Sequence, residues 1–203
     1  MGDGMKITVL FSGGLDSTVC LFQAFWSSCE HDVTALLVDY NQPHVRELEC
    51  AKSICNNTGI KWIAVNAYPW VRSPAGNKPN HVPWSAAEGD PMVIRGRNSL
   101  FVALACAATE PDQVGRGGNH NDQADYEDCR TPWAERMTQA FRVDVVLPLC
   151  LYEKWQIVKM ARWYDINIGD TLSCYRGLIP GCGECNACVL RDEAIRHSQD
   201  IAT

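Results

Sequence analysis

The chain has 203 residues, of which 46% are hydrophobic and 21% charged, and its formal net charge is -6. This composition is typical of one globular domain with a buried core, and the acidic balance argues against direct binding to nucleic acid, which requires a basic face. No apolar run approaches the roughly 20 residues that cross a bilayer, and the N-terminus lacks the pattern of a signal peptide, so we expect a cytoplasmic protein without membrane contact.

Apolar runs and helical patterns alternate along most of the chain. In chain order they predict a strand over 6–11, a helix over 16–26, a strand over 33–40, a helix over 44–58, a strand over 60–65, a helix over 98–108, a strand over 112–118, a helix over 131–142, a strand over 143–149 and a helix over 153–163. This alternation favours an α/β fold in which a parallel sheet has helices on both faces. Ligands of such folds bind at the carboxyl ends of the strands.

Two segments interrupt this alternation. Residues 66–91 contain five prolines and are predicted to form a long loop or a lid, because loops of this length usually carry function or move. From about residue 170 the chain is rich in cysteine and glycine, and a short helix is predicted over 187–198. We therefore expect one α/β domain over 6–168 and a small C-terminal segment over 169–200 that packs on it.

The stretch LFSGGLDST (10–18) joins the first predicted strand to the first predicted helix. Its glycines let backbone N–H groups approach an anion, Ser12, Ser17 and Thr18 add hydroxyl donors, and the helix directs its positive end at the same point. The stretch has neither the lysine of a Walker A loop nor the spacing of GxGxxG. It predicts a phosphate site; the alternative is a turn that only caps the helix through Ser12 or Asp16.

The 11 cysteines are an odd number, which favours thiols and metal binding in a reducing compartment over a disulfide framework. Most of the seven scattered cysteines are interpreted as small buried hydrophobic residues. The other four, Cys174, Cys182, Cys185 and Cys188, have the spacing C-x7-C-x2-C-x2-C. Four thiolates at this spacing predict a structural zinc site. A redox CxxC pair and an iron–sulfur cluster remain alternatives.

The motif SGGLDS (12–17) resembles the pyrophosphate loop, SGGxDS, of the ATP pyrophosphatases, or PP-loop proteins. The resemblance implies a Rossmann-like sheet of the adenine nucleotide alpha hydrolase-like kind, with ATP binding by residues 6–168 and ATP cleavage between its α and β phosphates. Asp16 is expected to assist Mg²⁺, a cation that prefers carboxylate and phosphate oxygens. The residues implied in pyrophosphate binding are Phe11, Ser12, Gly13, Gly14, Leu15, Asp16, Ser17 and Thr18.

Nearly the whole chain resembles the 7-cyano-7-deazaguanine synthase family (QueC). Besides the two motifs above, the segments that carry the resemblance are VDYNQPHVRELECAK (38–52), IRGRNSLFVALACAA (94–108), DYEDCRTPW (125–133) and LPLCLYEKWQIV (147–158). The resemblance implies that 7-carboxy-7-deazaguanine is adenylated by ATP, that ammonia displaces AMP to give an amide, and that a second adenylation gives the nitrile. It also implies a homodimer that uses ATP, Mg²⁺ and Zn²⁺.

The same resemblance assigns residue roles. Asp16, Lys154 and Arg97 are the implied catalytic residues, with Lys154 stabilising charge on the phosphates and Arg97 binding phosphate or the substrate carboxylate. Asp128 is expected to accept hydrogen bonds from the ring N1–H and the exocyclic amine of the substrate. The implied substrate-binding residues are Asp128, Arg130, Tyr126, Asn119, Asp122 and Gln42.

The chain departs from the family pattern around the implied substrate pocket. It has DYNQ in place of DYGQ, and Arg95 and Glu127 in place of prolines. A divergent ligase is therefore an alternative, one that transfers the deazaguanine to protein or DNA or stops at the amide, as in a phage or defence system. Other adenylating enzymes of the same fold, and a zinc-stabilised nucleotide-binding module without turnover, are further alternatives.

Overall fold

A computed structural model describes residues 4–27, 30–42, 46–68, 71, 94–124 and 126–200 of the chain. Its centre is a five-stranded sheet in which every pairing is parallel, so the predicted parallel α/β fold is confirmed. The strands are β1 (Lys6–Leu10), β2 (Asp32–Asp39), β3 (Lys61–Asn66), β4 (Gln113–Arg116) and β5 (Asp144–Val146). The helices are α1 (Leu15–Ser27), α2 (Arg46–Thr58), α3 (Arg97–Thr109), α4 (Thr131–Phe141), α5 (Lys154–Trp163) and α6 (Asn186–Asp200).

The strand order is β3-β2-β1-β4-β5. The chain runs outward from β1 to β2 and β3 on one side, and then returns to form β4 and β5 on the other. The loops after β1 and β4 therefore diverge at the same edge of the sheet, and ligands of open α/β sheets bind at such a switch point. Leu10 and Arg116, which end these two strands, are partners in the sheet register.

Apolar helix faces cover both faces of the sheet. One core cluster contains Val19 from α1, Ile54 from α2 and Ile157 from α5. The other contains Val102 from α3 and Trp133 from α4. The central strands β1 and β2 are largely apolar because both of their faces are buried. This packing fixes the strand ends and the loops that follow them.

Most predicted element boundaries agree with the structure to within two residues. The last strand is the exception, since β5 ends at Val146 and residues 147–150 form a turn in which the N–H of Cys150 donates to the carbonyl of Leu147 at 3.1 Å. Pro148 has no N–H to donate to a ladder, which explains the early end of the strand. The predicted loop or lid over 66–91 lies mainly outside the described residues.

The scattered cysteines include several buried thiols. Cys20, Cys55 and Cys129 are buried, and burial raises the pKa of Cys20 and of Cys55 to about 12. These two thiols pack as small apolar groups, as the sequence predicted. None of the described helices combines the length and the apolarity that a membrane crossing requires.

Candidate active site

The loop between β1 and α1 is held in shape by its own hydroxyl groups. The hydroxyls of Ser17 and Thr18 both donate to the carbonyl of Gly14, at 3.0 and 2.8 Å. The N–H of Gly14 donates to Ser12 Oγ at 3.3 Å, and the Ser12 and Ser17 hydroxyls are 3.1 Å apart. These hydrogen bonds hold the loop in place, with the N-terminus of α1 behind it. Two of the residues predicted to bind pyrophosphate, Phe11 and Leu15, have side chains in the buried core.

Two glycines allow neighbouring elements to approach this loop closely. Gly13 has a φ of 86°, and a Cβ there would be 2.6 Å from the carbonyl oxygen of Glu47. A Cβ on Gly117, which follows β4, would be 2.7 Å from the backbone of Asp16 and Ser17. Only glycine permits this packing without a backbone shift. The loop is consequently enclosed by the start of α2 on one side and by the end of β4 on the other.

Asp16 and Lys154 form the charged centre of the site. Lys154 Nζ lies 2.7 and 2.8 Å from the two carboxylate oxygens of Asp16, and Asn119 Nδ2 donates to the same carboxylate at 2.8 Å. The side chains of Lys154 and Asp16 are 18% and 15% exposed, so the pair is shielded and stronger than a surface ion pair. Three predicted site residues from distant parts of the sequence therefore meet at one point.

The loop after β4 connects this pair to the start of α5. Asn121 Oδ1 accepts from the backbone N–H of Lys154 at 2.9 Å, and Asn119 Oδ1 accepts from the backbone N–H of Asp122 at 3.1 Å. Burial and the nearby Asp16 carboxylate raise the pKa of Asp122, against the opposing effect of Lys154 and Arg116. The site thus holds a second carboxylate that is less acidic than usual beside the charged pair.

We call the space around Asp16 and Lys154 the phosphate cleft; it has a volume of about 200 Å³. The C-terminal segment forms one of its walls. The N–H of Leu172 donates to the carbonyl of Gly13 at 3.0 Å, which joins this segment directly to the loop. The lining residues include Ser12, Gly14, Asp16, Glu47, Asp122, Lys154, Leu172 and Tyr175.

A second cavity of about 820 Å³ lies beside the phosphate cleft. Asp122 and Tyr175 line both spaces. The lining residues that matter here are Arg97, Asn98, Arg116, Tyr126, Asp128 and Trp133. It is large enough for a bicyclic aromatic ring.

Asp128 is fixed in this cavity by two neighbours. One carboxylate oxygen accepts from Asn98 Nδ2, and the other lies 3.6 Å from Arg116 Nη2. Asp128 belongs to a single 3₁₀ turn, Glu127–Cys129, immediately before α4. The predicted ring-binding carboxylate is therefore present in the cavity, and each of its oxygens has lone-pair capacity left for a ligand.

Arg97 begins α3 and lies over an aromatic residue. Its guanidinium carbon is 5.5 Å from the ring centroid of Tyr40, and its Nη1 donates to the Tyr40 hydroxyl at 3.2 Å. Burial raises the pKa of Tyr40, which the Arg97 charge partly opposes. Arg97 also lines a narrower pocket of about 200 Å³ between the phosphate loop and the second cavity. The structure thus places Arg97 between the two spaces.

Two predicted substrate-binding residues form hydrogen bonds between their side chains and the protein's own backbone. Arg130 donates to the carbonyls of Gln123 and Ala124 at 2.6 and 3.1 Å. Gln42 is 5% exposed, and its Oε1 accepts from the N–H of Tyr40 at 3.0 Å. Both side chains support the site's framework in this arrangement.

Sequence reasoning missed Asn98, Arg116, Glu47 and Tyr175. Asn98 follows Arg97 in the GRN triplet, and Arg116 lies within the strand predicted over 112–118 and is the last residue of β4. A polar residue at the carboxyl end of a parallel strand is a usable signal for a site residue. Glu47 and Tyr175 have no such signal, since only the packing of α2 and the C-terminal segment brings them to the cleft.

The four C-terminal cysteines meet in space. The sulfurs of Cys174, Cys182, Cys185 and Cys188 all lie within 4.8 Å of one another. Cys182 Sγ and Cys188 Sγ are 3.9 Å apart, and tetrahedral zinc with bonds of about 2.3 Å requires roughly 3.8 Å. The donor set and its geometry therefore fit one zinc ion.

Hydrogen bonds favour the thiolate form of one member of this cluster. Although burial opposes ionisation of Cys182, backbone N–H donors from Glu184 and Cys185, together with the Cys185 and Cys174 thiols, outweigh it and lower the pKa of Cys182, whereas burial raises the pKa of Cys188. A thiol with a low pKa is a ready metal ligand. Leu172 and Cys50 pack against the cluster, so the C-terminal segment is joined to α2 as well as to the phosphate loop.

A parallel sheet with SGGLDS between its first strand and helix, and a lysine on the motif's aspartate, defines a PP-loop α/β protein. A comparison with family models gives the particular family. The model described as "Queuosine biosynthesis protein QueC" matches residues 6–199, and the chain belongs to this family.

Curated relatives agree with this assignment. The 7-cyano-7-deazaguanine synthase of Synechococcus elongatus is 33% identical, over 94% of this chain and 90% of its own length. The 7-cyano-7-deazaguanine synthase of Clostridium botulinum (strain 657 / Type Ba4) is also 33% identical, over 92% of each chain. Among solved structures, the U34-tRNA thiolase NcsA from Methanococcus maripaludis superposes with a TM-score of 0.54 at 15% identity, over 98% of this chain and 73% of its own. That likeness shows the fold alone.

Proposed function

We propose that this protein converts 7-carboxy-7-deazaguanine, ATP and ammonia into 7-cyano-7-deazaguanine through an adenylated carboxylate and an amide. The observation that carries the proposal is the junction of the two spaces. Asp122 and Tyr175 line both the phosphate cleft and the cavity that contains Asp128. A nucleotide whose phosphates lie at Asp16 and a ring that lies at Asp128 can therefore meet at their reactive ends.

At the phosphate end, residues 12–18 present backbone N–H groups and the positive end of α1 to the pyrophosphate. The Ser17 and Thr18 hydroxyls, which the sequence predicted as phosphate donors, instead hold the loop through the carbonyl of Gly14. Lys154 neutralises charge that develops as the bond between the α and β phosphates breaks. Asp16 has the oxygen donors that Mg²⁺ prefers and would hold this ion, which neutralises phosphate charge when bound. Asn119 orients the Asp16 carboxylate through its 2.8 Å hydrogen bond.

At the ring end, Asp128 accepts hydrogen bonds from the ring N1–H and the exocyclic amine. Tyr126 lines the same cavity and stacks on the ring, while Arg97 binds the carboxylate or the α-phosphate from the pocket between the two spaces. Arg130 and Gln42 shape the site through the backbone hydrogen bonds that they make. The four cysteines hold structural zinc, which maintains the wall of the cleft.

The reaction balances over two equivalents of ATP. A carboxylate oxygen of the substrate attacks the α-phosphorus, and pyrophosphate leaves. Ammonia then attacks the carbonyl carbon, the bond to AMP breaks, and a proton is released. The amide oxygen attacks a second ATP in the same way, and loss of AMP and of the remaining N–H protons leaves the nitrile. The protein supplies position and charge neutralisation for both rounds.

The test is mass spectrometry of a reaction that contains 7-carboxy-7-deazaguanine, Mg-ATP and ammonium. We expect the nitrile with about two AMP per product, the ratio that two activation steps require. An adenylate or amide that accumulates, or a deazaguanine adduct on added protein or DNA, would favour the divergent ligase. Absence of ATP cleavage with this acid would contradict the proposal and favour a binding module.

A substitution of the ring-binding carboxylate tests the second cavity. We expect Asp128→Ala to raise KM for the deazaguanine acid about 10- to 100-fold, because a hydrogen bond to a charged group is worth about 1.5–3 kcal/mol. KM for ATP should change by less than about threefold, since Asp128 lines the second cavity and not the phosphate cleft. Steady-state kinetics with each substrate varied in turn measures both constants, and equal losses for the two substrates would move Asp128 out of the ring site.

A further inference from the structure

Arg116 occupies the centre of the site, although the reaction scheme gives it no role. It ends β4, at the switch point of the sheet, and its side chain is 17% exposed. It lines both the second cavity and the narrower pocket beside the phosphate loop. A shielded guanidinium at this position requires partners that compensate for its lost hydration.

Those partners belong to one short segment. Arg116 Nη1 donates to the backbone carbonyl of Asp128 at 2.6 Å and to Cys129 Sγ at 3.4 Å. Its Nη2 lies 3.6 Å from the Asp128 carboxylate. The guanidinium carbon is also 5.8 Å from the ring centroid of Trp133, the first buried residue of α4. Arg116 therefore contacts the backbone, the carboxylate and the flanks of the turn that carries Asp128.

The surrounding packing restricts Arg116 to this position. A Cβ on Gly118 would be 2.9 Å from Arg116 Nη1 and 3.3 Å from Cys129 Sγ. The glycine thus lets the guanidinium pass between β4 and the turn. Asn98, from the start of α3, holds the other carboxylate oxygen of Asp128. The planar donor fork of arginine matches this arrangement, and a lysine ammonium does not.

We propose that Arg116 is a positioning residue that fixes Asp128 for recognition of a guanine-like ring, and that it sets the selectivity of the second cavity. This inference rests on the proposed function. A carboxylate that reads both a ring N–H and an exocyclic amine must be held in one orientation. Arg116 fixes the backbone and one oxygen, and Asn98 fixes the other oxygen. Removing Arg116 leaves Asp128 present, with one carboxylate oxygen still held by Asn98 and with the contacts to its backbone and its other oxygen lost.

The expected result of replacing Arg116 is weaker discrimination between the deazaguanine acid and ring analogues. We expect Arg116→Met to raise KM for the deazaguanine acid about 10- to 100-fold, as for loss of a hydrogen bond to a charged group, with KM for ATP within about threefold of the wild-type value. The preference for the acid over its analogue without the exocyclic amine should fall by at least about tenfold, because a carboxylate held at one oxygen alone penalises the missing donor less. Arg116→Lys retains the positive charge without the planar donor fork. Its KM for the deazaguanine acid should lie between those of the wild type and Arg116→Met.

A double-mutant cycle makes the inference falsifiable. If Arg116 acts through Asp128, Arg116→Met should add less than about twofold to KM in the Asp128→Ala background. Fully additive effects, or equal losses for ATP and the acid, would overturn the proposal. Lys61→Met is the matched control, because Lys61 also pairs with a carboxylate, that of Asp32, but its side chain is 68% exposed and lines neither cavity, so we expect less than about a twofold change in KM for the acid. If Arg116→Met does not fold, the Lys variant completes the same cycle.

Calorimetric binding of the acid without ATP separates this inference from the proposed reaction. Tight binding by the wild type, with weaker binding by Arg116→Met, supports the positioning role even if no nitrile forms. Absence of nitrile with wild-type protein that binds the acid would overturn only the reaction. Equal affinity of the wild type and Arg116→Met for the acid would overturn the role of Arg116, whatever the product.

Discussion

Asp16→Asn is expected to lower the rate of ATP cleavage by about 10³-fold while the protein remains folded. The carboxylate of Asp16 is the acceptor for Lys154 at 2.7 Å and for Asn119 at 2.8 Å. A neutral amide at this position no longer orients the lysine charge, and it is a weaker ligand for Mg²⁺ than a carboxylate. Release of pyrophosphate in the presence of the deazaguanine acid measures the effect directly.

Asp32→Asn is the matched control for this experiment. Asp32 forms an ion pair with Lys61 at 2.6 Å, but the side chains are 50% and 68% exposed. We expect less than about a twofold change in rate, because exposed pairs contribute little. Thermal unfolding of both variants shows whether the fold is retained. Pyrophosphate release by Asp16→Asn at the wild-type rate would remove Asp16 from the mechanism.

The features predicted best from the sequence are those that a short stretch encodes. The SGGLDS loop combines its strand end, its hydroxyls and its helix start within six residues, and the hydrogen bonds of its Ser17 and Thr18 hydroxyls stay within residues 12–18. The cysteine spacing likewise brings four sulfurs together through local turns. The central strands β1 and β2 are predictable because burial on both faces makes them largely apolar.

The second cavity was harder to predict because it is assembled from distant parts of the chain. Asp128 is held by Asn98, 30 residues earlier, and by Arg116, 12 residues earlier. No local sequence pattern indicates which guanidinium faces which carboxylate, because the order of the strands in the sheet determines this pairing. Arg130 shows why residue type alone is a weak signal, because it suggests ligand binding while two of its donors bind the carbonyls of Gln123 and Ala124.

The second large effect is expected at the zinc site. Cys185→Ser should abolish stoichiometric zinc binding and lower the free energy of unfolding by several kcal/mol, because the binding energy of structural zinc is folding energy. The four sulfurs lie within 4.8 Å of one another, so one oxygen in place of a thiolate leaves an incomplete tetrahedron. Elemental analysis of the purified protein gives the zinc content, and denaturant unfolding gives the stability.

The same variant should also weaken ATP binding, although Cys185 does not line the phosphate cleft. Leu172 packs against the cysteine cluster and donates its N–H to Gly13 of the phosphate loop at 3.0 Å. Loss of the metal therefore releases a wall of the cleft together with a hydrogen bond to the loop.

Cys50→Ala is the matched control for Cys185→Ser. Cys50 packs against the cluster, but it is outside the group of four sulfurs, so zinc content and KM for ATP should remain at wild-type values. Unchanged zinc content in Cys185→Ser would contradict the metal assignment. Loss of zinc with an unchanged KM for ATP would instead show that the phosphate loop keeps its shape without the C-terminal wall.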